Sequence, residues 1–229
     1  MGQYYKPIAL DENSKPKAWV YSHAIKETRI GYEGKPYEAG SGLKLMEHSW
    51  MKNNFVAAFE SLLIKGAPHY KSGVVWAGDY ADPEDDSVIT EYEYNLIKEE
   101  NGAVWYEKCR KDGINLYSLA NDNTQVTPKI PNKKPRYLVN HTKGEFVDKY
   151  KVPKDANGWQ IHPLPLLTCE GNNRGGGDFR VDENNPNHVN ADELIGRWSR
   201  DVISAEFLKK DVPKGFNRLN LEYLRNKLG

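Results

Sequence analysis

The chain has 229 residues, 38% of them hydrophobic, with Lys+Arg 32 against Asp+Glu 32 and a formal net charge of zero. A chain of this length buries about 70% of its unfolded surface, so its core needs no disulfide or metal to hold it. The charge balance argues against a dedicated nucleic-acid binder, which carries a basic excess to displace counterions, and no apolar run is long enough to cross a bilayer.

Residues Gln3 to Leu10 and Lys17 to His23 are short, aromatic and β-branched around a polar turn at Asp11 to Pro16, which predicts a hairpin. Gly31 to Gly42, with Pro36, reads as a loop. Glu47 and His48 are neighbours, and adjacent side chains diverge too far to share a metal, so His48 reads as a hydrogen-bonded structural residue. Asn53 or Asn54 caps a helix whose Phe55, Val56, Phe59, Leu62 and Leu63 share one face, and Gly66 stops it. Ser72 to Ala81 predicts a buried strand, ended by Asp82-Pro83.

A helix around Glu91 to Glu100 and a strand over Ala103 to Cys109 are expected next, within a stretch (84–135) that has the character of an insertion. Lys129 to Arg136 is basic but broken by Pro131 and Pro135, and reads as a stiff solvated loop in preference to a binding patch. Arg136 to Asn140 and Glu145 to Tyr150 form a second hairpin. Pro163 and Pro165 exclude both a helix interior and a central strand, and hold His162 rigidly near a glycine-rich segment, Glu170 to Asp178. Leu194, Ile195 and Trp198 fit a helix, and Trp198 to Ile203 fits a strand equally well; Asn220 to Leu228 is helical. Without a disordered linker, the expected architecture is one α+β domain with a mostly antiparallel or mixed sheet and a few packed helices.

Cys109 and Cys169 show no C-x-x-C spacing, and Met1 to Lys6 lacks the apolar stretch of a signal peptide, so a reduced cytoplasmic protein is expected. No H-E-x-x-H or H-x-x-x-H occurs, no metal site is expected, and the residues indicate no particular cofactor.

The densest candidate for chemistry is Asn172-Asn173-Arg174-Gly175-Gly176-Gly177-Asp178. Consecutive glycines let backbone N–H groups converge on a ligand without a Cβ in the way, and Arg174 adds a planar charged fork suited to phosphate or carboxylate. The other reading is a tight turn in which Arg174 pairs with Glu170 or Asp178. Asp79, at the end of a buried strand, His162 and Asp178 are the candidate acid–base groups, and Arg197, Arg200 and Asp201 can lean over the same segment or form surface ion pairs of little energetic weight. The expected partner is a small phosphorylated or nucleotide-like molecule and not a membrane; the charge balance disfavours nucleic acid but says nothing against a local basic groove. A non-catalytic protein–protein interaction role is the alternative.

The islands M-G-Q-Y-Y (Met1 to Tyr5), L-K-L-M-E-H (Leu43 to His48), W-A-G-D-Y-A-D (Trp76 to Asp82), N-R-G-G-G-D (Asn173 to Asp178) and G-R-W-S-R-D (Gly196 to Asp201) resemble a group of uncharacterised bacterial and phage proteins. These open with M-G-Q-Y and carry an N-G-R-G-G-G-D loop. The resemblance implies an independent family of bacterial or phage origin and brings no assigned activity.

Overall fold

Two short aromatic strands open the chain. The structure, a computed structural model, describes residues 4–79, 116–154, 158–170 and 194–222. β1 (Tyr5–Leu10) and β2 (Pro16–Val20) form the expected hairpin, and Asp11 closes its turn by accepting the N–H groups of Asn13 and Lys15. β3 (Glu27–Ile30) and β4 (Pro36–Ala39) then make a separate two-stranded sheet where a plain loop was expected. Gly31 to Gly34 supply only the turn, with Gly34 at φ 72. Both strands are largely exposed, so no apolar alternation betrays them in the sequence.

Past the four-residue helix α1 (Leu45–His48), α2 (Asn54–Ser61) begins where its cap predicts: the Asn53 side chain accepts from the N–H groups of Phe55 and Val56. The helix ends before Leu62, and tighter turns carry the chain to Gly66 at φ 88. β5 (Ser72–Gly78) is the spine of the main sheet. Val74 and Trp76 point into the largest core cluster, whereas Val75 and Ala77 point into a smaller one with Ile8, Leu10, Trp19 and Leu116. Burial on both faces explains why its apolar run is continuous rather than alternating.

The remaining described strands are β6 (Gln125–Val126), β7 (Tyr137–Asn140), β8 (Glu145–Asp148), β9 (Cys169–Glu170), β10 (Val202–Glu206) and β11 (Asn217–Arg218), with helices α3 (Leu116–Leu119) and α4 (Pro163–Thr168). They order the mixed sheet as β11-β8-β7-β10-β5-β1-β2-β6, and β9 also pairs with β5. One core cluster joins residues from Tyr5 to Leu221, so the described chain is a single α+β domain.

Pro163 and Pro165 stay out of a helix interior, as expected, and instead open α4, because N–H groups in a first turn have no intrahelical partner and their loss there is harmless. One expectation needs correction. Residues 194–200 form consecutive turns instead of a helix or a strand, and the strand starts only at Val202. The expected helix at 91–100 and strand at 103–109 lie outside the described residues, as does the terminal helix beyond Glu222.

Candidate functional site

β5 changes neighbours halfway along its length. Its beginning pairs with β10, through Gly73 opposite Val202, and its end pairs in parallel with β9, through Trp76 opposite Cys169 and Ala77 opposite Glu170. The gap between the two neighbours is bridged by Arg200, whose N–H donates to Val74 O at 2.7 Å while Val74 N–H donates to Asp201 O at 3.0 Å. Arg200 adopts φ 63, left-handed for a residue with a side chain, at a cost of about 1–2 kcal/mol. Its guanidinium offsets that strain with a bidentate grip on Glu170, Nε to Oε2 at 2.9 Å and Nη2 to Oε1 at 2.6 Å. Ser199 Oγ donates to the same carboxylate at 2.7 Å. Both charged side chains are almost fully buried. The pair stitches the fork shut.

Because β5 and β9 are parallel, Gly78 and Glu170 end at the same edge of the sheet. Asp79 follows β5 there; its N–H donates to Tyr4 O and its Oδ1 accepts the Tyr4 N–H, both at 3.0 Å. From Glu170 the chain enters the segment containing Asn172, Asn173, Arg174, Gly175, Gly176, Gly177 and Asp178, which lies outside the described residues. Glu170, the last described residue before it, pairs with Ala77, two residues before Asp79.

Arg197 is engaged with β8. It donates Nη2 to Glu145 Oε1 at 2.6 Å and Nε to Oε2 at 3.2 Å, and Trp198 Nε1 donates to Oε2 at 2.7 Å. Burial alone would raise the Glu145 carboxyl, but these bonds outweigh it and hold the group below its ordinary range. Arg197 thus ties the 194–200 turns to the second hairpin.

His162 belongs to a different cluster, around Glu60. β8 and β10 run antiparallel to β5, by way of β7, so their last residues lie beyond the first residue of β5. Lys149 follows β8 at that end and places Nζ 2.6 Å and 2.7 Å from the two oxygens of Glu60 on α2. His162 Nδ1 accepts the Leu164 N–H and caps α4, which leaves the proton on Nε2, 3.3 Å from Glu60 Oε1. Burial opposes the Glu60 charge, yet Lys149 and His162 prevail and hold its carboxyl at about 2. Burial keeps His162 below its usual value despite Glu60. The structure does not bring His162 together with Asp79.

Sequence reasoning passed over Glu60 and Lys149, and weighed Arg200 only as leaning over the glycine-rich segment or forming a surface ion pair, whereas the structure buries it against Glu170. Glu60 leaves a signal: it follows Val56 by four positions on the apolar face of α2, where a carboxylate needs a buried partner. The pairing of Arg200 leaves none, because Glu170 is thirty residues away in sequence. Among the described residues no group of three or more His, Cys, Asp or Glu is placed to hold a metal ion, and no helix is long and apolar enough to cross a membrane. No protein-family model matches the chain, and no curated protein or solved structure is significantly similar to it.

Proposed function

We propose that the chain binds a small phosphorylated or nucleotide-like molecule where β5 and β9 end. Residues Asn172 to Gly177 would supply N–H groups and the Arg174 guanidinium, with Asp79 and Asp178 as acid–base groups for hydrolysis. The observation that supports this reading is the fork itself. Sheets often bind ligands beyond the carboxyl ends of their parallel strands, and here the Gly/Asn/Arg segment follows β9 in sequence, which pairs in parallel with the end of β5. The buried Arg200–Glu170 pair gives that segment a rigid origin, which keeps the entropic cost of ordering a ligand loop low.

The test is a thermal-shift titration of the full chain with inorganic phosphate, AMP, ADP and ATP, with and without Mg²⁺. Ligand at 100 times its Kd stabilises by about 2.7 kcal/mol, which for a chain of this size raises Tm by about 5–10 °C. Arg174→Ala should abolish that rise and leave the unliganded Tm unchanged. The absence of any shift across the panel would favour the second reading, protein–protein interaction. That reading rests on the β3–β4 hairpin, which exposes Ile30, Tyr32 and Tyr37.

A further inference from the structure

We propose that the opposite end of the sheet, away from Asp79 and Glu170, is a surface for single-stranded nucleic acid. β7 begins there and β8 and β10 end there, as Tyr137 pairs with both Asp148 and Glu206. Three segments therefore emerge side by side: 127–136 before β7, 149–154 after β8, and 207–210 after β10. Together they carry nine Lys or Arg and no Asp or Glu; the next acids are Asp155 after Lys154 and Asp211 after Lys210. Two of the cations are committed inward, Lys149 to Glu60 and Arg136 to Asp148, and the others face outward or lie partly buried. Along the sequence the zero net charge conceals an uneven distribution: residues 79–100 hold nine Asp or Glu against one Lys. A polyanion meets the local field, not the average.

Aromatic faces interrupt the same surface. Tyr150, between Lys149 and Lys151, is 74% exposed, and Trp159 is 57% exposed. The Arg136 guanidinium lies 4.7 Å from the Tyr150 ring centroid, and the Trp159 ring lies 5.2 Å from that of Trp50. Trp159 is held beside the cations: Met51 N–H donates to Gln160 O at 2.9 Å, and Lys134 Nζ donates to Lys52 O at 2.8 Å. Duplex nucleic acid and acidic peptides have no unpaired bases to offer such rings, whereas a single strand stacks its bases on aromatics while lysines track its phosphates. Lys52, Lys133, Lys151 and Lys154 are the phosphate contacts, and Tyr150 and Trp159 the stacking platforms.

Fluorescence anisotropy with a fluorescein-labelled oligothymidylate, long enough to cover a site of about 4–16 nucleotides, tests the idea on the full chain. With about four phosphate contacts, the affinity should fall roughly 20-fold when the salt is tripled. Tyr150→Ala should weaken binding about tenfold, the weight of one stacked base. Lys133→Glu/Lys151→Glu/Lys154→Glu should abolish it. These positions are exposed, so an unchanged Tm for each variant certifies the fold. Arg174→Ala should leave oligothymidylate binding intact, which separates this surface from the small-ligand site. No binding at low salt would overturn the proposal. So would tighter binding to duplex DNA, heparin or vesicles of phosphatidylserine, or binding that Tyr150→Ala leaves unchanged.

Discussion

Glu60, Lys149 and His162 show how much a single buried charge depends on its neighbours. Lys149 is as buried as Glu60, and its ammonium has both carboxylate oxygens within hydrogen-bond distance. Attraction between the two at close range and low dielectric roughly balances the cost of taking each from water, so the pair contributes less to stability than its short distances suggest. Removing one partner is a different matter. Glu60→Gln should destabilise the fold by about 3–5 kcal/mol, since it leaves the Lys149 charge buried opposite a neutral amide. Glu60→Leu/Lys149→Met, which removes both charges at similar volume, should cost much less. Urea denaturation of the single and double variants measures the difference, and equal losses would show that the pair is not the unit. His162 was legible as rigid from its prolines, but its Glu60 partner lies about a hundred residues earlier in the chain and could not be read locally.

At the scale of elements, chain ends and turns decide more than propensity does. α2 starts at its Asn53 cap, and α4 starts at Pro163 because His162 supplies the cap and proline needs no donor in a first turn. The β3–β4 hairpin is anchored where its second strand ends. A Cβ on Gly40 would stand 2.5 Å from His23 Cα, against backbone that cannot swing aside. Gly40→Ala should therefore push the hairpin base away from the 22–24 turn and destabilise the fold by about 1–3 kcal/mol. A thermal melt checks it, and an unchanged Tm would mean that the hairpin moves freely against the body. Gly34, with nothing near its Cβ position, is required for its left-handed turn and not for space. The glycines of this region were visible in the sequence; which of them guards a close approach was not.

For the whole molecule, acid is the weak direction. His48 lies inside the main core, where Nδ1 donates to Gly42 O at 3.0 Å and Nε2 accepts the Trp76 indole N–H at 2.9 Å. A second proton on that ring would face an indole donor, and burial already holds the group at about 4. His141 is likewise lowered to about 4, by burial and then by Lys71. Histidines depressed in the fold bind protons more readily once unfolded, so their contribution is complete above pH 6.5 and is lost as pH falls toward 4. A tenfold difference in proton affinity between the folded and unfolded chain is worth about 1.4 kcal/mol, which puts the His48 share near 3 kcal/mol. Glu60 acts in the same sense lower down, losing its stabilising charge between about 4.5 and 2. Tm should thus fall steadily from pH 7 to pH 4, and His48→Gln, which keeps one donor and one acceptor, should flatten that slope. A Tm independent of pH across this range would contradict the buried, neutral assignment.

Composition and periodicity were enough to determine an α+β chain with an N-terminal hairpin, a capped helix at Asn53, a buried strand at Ser72 and a second hairpin around Gly144. Each of these is decided by residues a few positions apart, through turn chemistry, capping and the rhythm of apolar side chains. The pairing of β9 and β10 with one strand, the Arg200–Glu170 stitch and the gathering of three basic segments at one sheet end were decided only by the tertiary structure. Those features join residues far apart in sequence. The free energy that selects them comes from long-range burial and charge pairing, which no local pattern records.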